Sequence, residues 1–151
     1  MKYLLPVFIM LFNCSYSQSL NAVQIQEISN YSFVDLDRLM VTKYKFSRMH
    51  DLEDDQQKIY SNDSDQADKF LVITVIKEIN ACANILSIVN SSEAEINKLK
   101  EDLPSEGFVY RGKKKMTEDI MVSQFVKEKI TISITDSRTS TGAYQILWMC
   151  K

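Results

Sequence analysis

The fold is decided by residues 90–110, which read NSSEAEINKLKEDLPSEGFVY. Ser92 and Glu95 have the spacing of a capping box, in which two side chains satisfy free backbone N–H groups in the first turn of a helix. A polar cap of this kind marks the residue at which an α-helix begins. The stretch therefore predicts a helix that starts directly after Ser92 and follows a strand over 83–89.

The next residues define one face of this helix and its end. Ile96, Leu99 and Leu103 recur at helical spacing and therefore lie on one face. Pro104 cannot continue a regular helix, and Gly107 accepts the left-handed conformation that ends one. The alternation that follows predicts a strand over 108–115.

A weaker copy of the pattern lies sixty positions earlier. The residues that match Asn90, Ser92, Glu95, Ile96 and Leu99 at this offset are Asn30, Ser32, Asp35, Leu36 and Leu39. The copy predicts a first helix from Ser32 to about Lys43. It also predicts a pseudo-duplicated domain, with related units of about sixty residues over roughly 20–79 and 80–151.

Apolar runs and period-two alternation predict the remaining elements. The expected strands or extended segments are 19–29, 44–49, 58–60, 69–77, 83–89, 108–115, 120–126, 129–135 and 143–150. Runs of strands between isolated helices are typical of an α+β domain. We therefore expect a mostly antiparallel sheet with two helices packed on one face.

The N-terminus resembles a bacterial secretory signal. Lys2 precedes an apolar run over 3–12, and a short polar stretch ends at Ser17. The run is too short to cross a bilayer, which takes about 20 apolar residues, and no later stretch is a better candidate. We expect residues 1–17 to be a cleaved signal peptide and 18–151 to form a single exported domain, periplasmic or extracellular.

Cys14 raises the alternative of a lipid anchor. A lipoprotein signal also ends in a cysteine, but small residues should precede it. Phe12 and Asn13 precede Cys14 here, so the sequence favours the simple signal peptide over the lipoprotein.

Charge and cysteine content narrow the classes of partner. Removal of 17 residues from 151 leaves 134, with 17 basic and 20 acidic side chains. A mildly acidic chain argues against a nucleic-acid partner, which would need a basic face. The two cysteines that remain, Cys82 and Cys150, form a candidate disulfide in an oxidising compartment; two buried thiols are the alternative. The bond requires the strands next to these residues to lie side by side.

The sequence contains no recognisable catalytic motif. His50 is the only histidine and lies in an acidic stretch over 50–68, which favours a solvated loop residue over a catalytic base. The three glycines form no phosphate-binding loop, and no cofactor is expected. Asp63, Asp65 and Asp68 alternate as calcium ligands do, but the loop lacks the glycine and terminal glutamate of an EF-hand.

Two surfaces are candidates for partner contact. The basic run Arg111, Lys113, Lys114 and Lys115 either meets an anionic partner or guards an edge strand against aggregation. The last strand is apolar on both faces, so one face serves the core and the other is covered or offered to a partner. If it is offered, Tyr144 and Trp148 are the preferred contacts, because aromatic residues dominate interface hot spots.

These observations predict an exported, non-catalytic binding protein of the inhibitor, immunity or envelope-assembly type, with a protein partner. The alternative is a small secreted hydrolase that uses paired carboxylates. A cleft with two close carboxyl groups of raised pKa would favour the hydrolase.

Overall fold

A computed structural model describes residues 19–78 and 82–150 of the chain. Two α-helices lie at α1 (Ala22–Asn30) and α2 (Glu93–Asp102), with a π-helix at Arg38–Lys43 and a 3-10 turn at His50–Leu52. Eight strands complete the chain: β1 (Ser47–Arg48), β2 (Gln57–Ser61), β3 (Leu71–Ile76), β4 (Ile85–Asn90), β5 (Val109–Lys115), β6 (Met121–Lys127), β7 (Ile130–Thr135) and β8 (Tyr144–Cys150). The predicted signal peptide, 1–17, and Cys14 lie outside the described residues.

The strands form one antiparallel sheet, which confirms the α+β prediction. Their spatial order is β1-β2-β3-β4-β8-β7-β6-β5. β1 to β4 run in sequence from one edge, β5 to β8 run in sequence from the other, and β4 pairs with β8 where the two sets meet. This is the neighbour relation that the candidate disulfide required.

One face of the sheet, which we call the inner face, carries the hydrophobic core. Across its centre Ile73, Ile88, Ile146 and Ile134 are successive cross-strand neighbours. Each of them is almost completely buried. The buried side chains of α1, of the π-helix and of α2 belong to the same apolar cluster as these strand residues. Burial of apolar surface is the main favourable contribution to the stability of such a core.

Helix α2 begins and ends as the sequence predicts. The Ser92 side chain accepts a hydrogen bond from the Glu95 backbone N–H at 3.4 Å. Asn90 mediates the other half of the cap, because its side chain accepts from the Ser92 N–H at 2.8 Å and donates to Glu95 at 2.9 Å. Ile96 and Leu99 are buried, and Gly107 has a φ of 86° in the turn that follows the helix.

The strand predicted over 19–29 is wrong, because this segment forms helix α1. Asn21 caps the helix: its side chain accepts from the Gln24 N–H, and the Gln24 side chain accepts from the Asn21 N–H. Ala22, Ile25 and Ile28 are buried at helical spacing. An Asn–Gln capping box was the signal for this helix, and the alternation of Val23 and Ile25 concealed it.

The predicted first helix exists in a shorter form that ends as a π-helix. Turns occupy 33–35, helical structure runs from 36 to 43, and its last six residues are the π-helix. Leu36, Leu39 and Met40 are buried as the predicted face requires, whereas Lys43 is exposed and pairs with Glu27. The extended segment predicted over 44–49 narrows to the two residues of β1.

Replacement of Leu99 by Ala tests the docking of α2. Leu99 is 3% exposed, so we expect the free energy of unfolding to fall by about 2–5 kcal/mol in a urea titration. Lys98→Ala, at an exposed position of the same helix, is the control and should change stability by less than about 0.5 kcal/mol. Equal effects of the two substitutions would contradict the burial of this face.

Candidate functional site

The face of the sheet opposite the core is the candidate contact surface. We call it the outer face and define it by the outward positions of six strands. Its members are Gln57, Ile59 and Ser61; Val72, Thr74 and Ile76; Ile85, Ser87 and Val89; Val122, Gln124 and Val126; Thr131, Ser133 and Thr135; Gln145, Leu147 and Met149.

The outer face is electrically neutral. Each of its eighteen positions holds an apolar or an uncharged polar side chain, although 25% of the residues in the chain are charged. At that fraction four or five of the eighteen positions would be charged. The solvated face of an antiparallel sheet is normally polar, whereas this face combines uncharged polar side chains with apolar ones.

The apolar members of the outer face are partly buried, except Val122, which is 4% exposed and therefore buried. Ile76, Ile85 and Val89 on the first half of the sheet, like Leu147 and Met149 on β8, are half-buried by their own neighbours within the sheet. The outer face is therefore a mixed surface of partly buried apolar side chains and uncharged polar ones.

The two aromatic residues predicted as partner contacts lie on the inner face. Tyr144 is 6% exposed and Trp148 is 0% exposed, and Trp148 packs edge-to-face on Phe108 with ring centroids 5.6 Å apart. Their side chains are part of the core, and the outward side chains of this strand are those of Leu147 and Met149. Contact of a partner with β8 itself stays a prediction.

The basic run lies on β5, at one edge of the sheet. Arg111, Lys113, Lys114 and Lys115 are all exposed. A bulge interrupts the pairing with β6 between Tyr110 and Lys113, and charged residues and bulges are both devices that keep edge strands from pairing with other chains. The position agrees with the edge-guarding interpretation, while contact of this run with an anionic partner stays a prediction.

Lys113 also belongs to a polar cluster around Asp136. Its Nζ lies 3.2 Å from Asp136 Oδ2, while Ser123 and Lys100 donate to Oδ1 at 2.6 and 3.1 Å. Burial alone would raise the pKa of Asp136, but these hydrogen bonds outweigh burial and hold its pKa below the ordinary value. The cluster ties α2 to β5, β6 and the end of β7.

Asp37 and Glu53 form the second polar cluster, and they are the pair of acids that bears on the hydrolase alternative. Arg48 bridges them: it pairs with Asp37, and its Nε lies 3.1 and 3.0 Å from the two carboxylate oxygens of Glu53. The Tyr60 hydroxyl donates to Asp37 at 2.7 Å, and the Ile59 N–H donates to Glu53 at 2.8 Å. The cluster joins β1, β2 and the residue before the π-helix.

The pKa of Glu53 argues against its use as a general acid. Burial alone would raise the pKa of Glu53, but the hydrogen bonds from Arg48 and from the Ile59 N–H lower it further than burial raises it. A general acid at neutral pH needs a raised pKa. Two carboxylates that share one guanidinium are instead typical of an ion-pair network that fixes local structure.

The other candidate residues for catalysis or metal binding do not come together as sites among the described residues. His50 lies in the 3-10 turn with a side chain that is 70% exposed, and its Nδ1 lies 3.6 Å from Glu53. Across residues 19–78 and 82–150, no three histidine, cysteine or acidic side chains converge to hold a metal ion, so Asp63, Asp65 and Asp68 form no calcium site there. In the same described ranges, no helix is long and apolar enough to cross a membrane.

Cys82 and Cys150 are placed as the sequence predicts. Their Cα atoms are 5.5 Å apart, within the range of a disulfide, and their sulfur atoms are in bonding contact. Cys82 lies ahead of β4 and Cys150 ends β8, so the pair lies at one end of the β4–β8 junction. Such a pair is compatible with an oxidising compartment.

Comparison of the chain with protein-family models, with curated proteins and with solved structures gives no match. The class of protein therefore follows from the fold and from the candidate surface alone. It is an α+β protein in which helical segments share a core with one face of an antiparallel sheet, while the other face is neutral and partly apolar.

Substitution of Glu53 by Gln tests the ion-pair network through its pH dependence. At pH 7 the variant should be less stable than the parent by about 1–3 kcal/mol, because Arg48 loses a charged partner. A lowered pKa gives stability that is present above the unfolded pKa and is lost as the pH falls through the folded pKa. The difference measured by urea titration should therefore shrink on acidification.

Glu101→Gln, at an exposed position of α2, is the matched control and should leave stability nearly unchanged at each pH. A penalty for Glu53→Gln that stays constant from neutral to strongly acidic pH would contradict the network.

Peptide mapping without reduction tests the cysteine pair. We expect one linked peptide that contains Cys82 and Cys150, with a loss of about 2–4 kcal/mol of unfolding free energy when the bond is reduced. The double substitution to Ser should show the lower stability with or without reductant. Recovery of both cysteines as free thiols from protein isolated under oxidising conditions would contradict the bond.

Proposed function

We propose that this chain is an exported, non-catalytic binding protein that acts in the bacterial cell envelope or outside the cell, as an inhibitor, an immunity protein or an assembly factor. The observation that carries the proposal is the neutral, partly apolar outer face of the sheet. Apolar area removed from water contributes about 25 cal/mol per Å², so a partner that covers this face gains stability without the need to desolvate charged groups.

Export is supported by two independent features. The N-terminal sequence has the layout of a secretory signal, and Cys82 and Cys150 are in bonding contact. Disulfides persist in oxidising compartments such as the periplasm and the extracellular space. The carboxylates of Asp37 and Glu53 are ion-paired with Arg48, which also favours a binding protein over a hydrolase.

The proposal includes a duplicated architecture. Each half of the chain places helical structure before four antiparallel strands, and the order of strands is symmetric about the β4–β8 junction. Leu36 and Ile96, which correspond at the sixty-residue offset, are 0% and 1% exposed. Helix α1 has no counterpart in the second half among the described residues. Two fused units with helices on one side would create a sheet face twice as wide as either unit offers.

Site-specific photo-crosslinking tests the proposal in living cells. A photoreactive amino acid at position 147, on the outer face, should give a discrete product of higher mass when the full chain is expressed in its host. The control is the same amino acid at position 23, which is 55% exposed on α1 and should give no such product. If neither position yields a product, or both yield the same one, the outer face is not a specific contact surface.

A further inference from the structure

The hairpin formed by β5 and β6 concentrates positive charge in an acidic chain. Residues 109–127 hold five of the 18 basic side chains of the protein and two of its 20 acidic ones, a local net charge of +3 in a chain whose net charge is −2. The positive charges are Lys127 and the four residues of the basic run, whereas Glu118 and Asp119 lie in the turn between the strands. Such an asymmetry attracts anionic groups to one edge of the sheet.

Most of the charge on β5 is not neutralised within the protein. Lys113 pairs with Asp136, at 3.2 Å between Nζ and Oδ2. Among the described residues, Arg111, Lys114 and Lys115 form no ion pair. All three are exposed, so the edge strand presents three unpaired cations to its surroundings.

The same hairpin exposes apolar side chains. Nine large hydrophobic side chains are exposed among the described residues, and four of them, each 41–53% exposed, belong to this hairpin: Val109, Tyr110, Met116 and Met121. Met121 is the cross-strand neighbour of Lys115, and Met116 follows Lys115 directly, so cationic and apolar side chains are intermingled near the turn. Protection of an edge strand needs the charges alone, and exposed apolar residues work against it. Edge protection therefore does not account for this composition.

The composition of the hairpin distinguishes between anionic partners. Protein interfaces are enriched in arginine and depleted in lysine, whereas three of the four residues in the basic run are lysines. At an anionic bilayer, by contrast, lysines are attracted to the headgroups, and apolar and aromatic side chains enter the boundary between headgroups and acyl chains. The mixture in this hairpin is therefore that of a membrane-surface contact.

We propose that the β5–β6 hairpin binds the surface of an anionic lipid bilayer, with the basic run against the headgroups and with Met116 and Met121 at the boundary to the acyl chains. β5 is the last strand of the sheet, so the backbone N–H groups on its free side are additional donors for headgroup phosphates. The contact is peripheral and reversible, since a few cations and apolar side chains supply it. It goes beyond the proposed function, because it concerns an edge of the sheet rather than its outer face.

Co-sedimentation with lipid vesicles tests the contact on the full chain, expressed with its N-terminal segment and purified after processing by the host. The parent should bind vesicles of equimolar phosphatidylglycerol and phosphatidylcholine more tightly than vesicles of phosphatidylcholine alone, and added salt should reduce the difference. Replacement of both Lys114 and Lys115 by Gln should lower the partition coefficient about 25-fold, or about fivefold for each cation removed. The same exchange at Lys69 and Lys98, two exposed lysines outside the hairpin, is the matched control and should leave binding nearly unchanged.

A tryptophan in the turn reports the apolar part of the contact. The fluorescence of Met116→Trp should shift to the blue when anionic vesicles are added, because the new indole leaves water for the headgroup boundary. The native Trp148 is 0% exposed and contributes a constant background. Val23→Trp, at an exposed position of α1, is the control and should show no shift. If circular dichroism shows that Met116→Trp is unfolded, Met121→Trp takes its place.

Several results would overturn the membrane contact. Equal binding of the parent to anionic and neutral vesicles would exclude a role for the basic run, and equal losses in the two double variants would exclude the hairpin as the contact. An unshifted emission of the folded tryptophan variant on anionic vesicles would exclude the apolar contact. Retention of the parent on polyphosphate without binding to vesicles would assign the run to a soluble polyanion instead. Photo-crosslinking from position 147 tests the outer face separately, so either proposal can fail without the other.

Discussion

The pairing of β4 with β8 is the interaction on which the rest of the structure depends. It is the one junction between the strands of the first half and those of the second, and Leu86 opposite Trp148 and Ile88 opposite Ile146 place its core residues. Because side chains alternate between faces, a slip of one residue here would exchange the two faces of a strand. The register at this junction thus fixes both the core and the composition of the outer face.

Elements with strong local signals could be predicted from the sequence. The cap at Ser92, the helical spacing of Ile96 and Leu99, and the left-handed Gly107 are each properties of a few neighbouring residues, and α2 follows the prediction closely. Helix α1 could not be recognised in the same way, because Val23 and Ile25 alternate like a strand over a segment too short for periodicity to decide. Its Asn21–Gln24 cap was the better signal, because this pair of side chains marks the start of a helix and has no role in a strand.

The outer face could be predicted only in part, for a reason that lies in β8. This strand is apolar on both sides, so its sequence pattern does not show which side is buried in the core. The frequency of aromatic residues in interface hot spots favoured Tyr144 and Trp148 as exposed contacts, whereas both are buried in the core. The pairing of Leu147 with Ser87 and Ser133 joins residues sixty and fourteen positions apart, which no local sequence pattern shows. Likewise, the Asp37–Arg48–Glu53 cluster follows from the packing of β1 and β2 and has no motif.

The edges of the sheet disfavour pairing with further strands, whereas its outer face carries no charges that would oppose contact. Edge to edge, two copies of β5 would bring Arg111 and the lysines against their like, and the bulge at Gly112 would interrupt the hydrogen-bond ladder. The other edge, β1, is two residues long and offers little backbone to a new strand. Neither edge of the sheet therefore favours the addition of a strand from another chain. The charged edge and the uncharged outer face therefore differ in the contacts they allow, because the edge disfavours the addition of strands while the outer face meets a neighbour without desolvating charges.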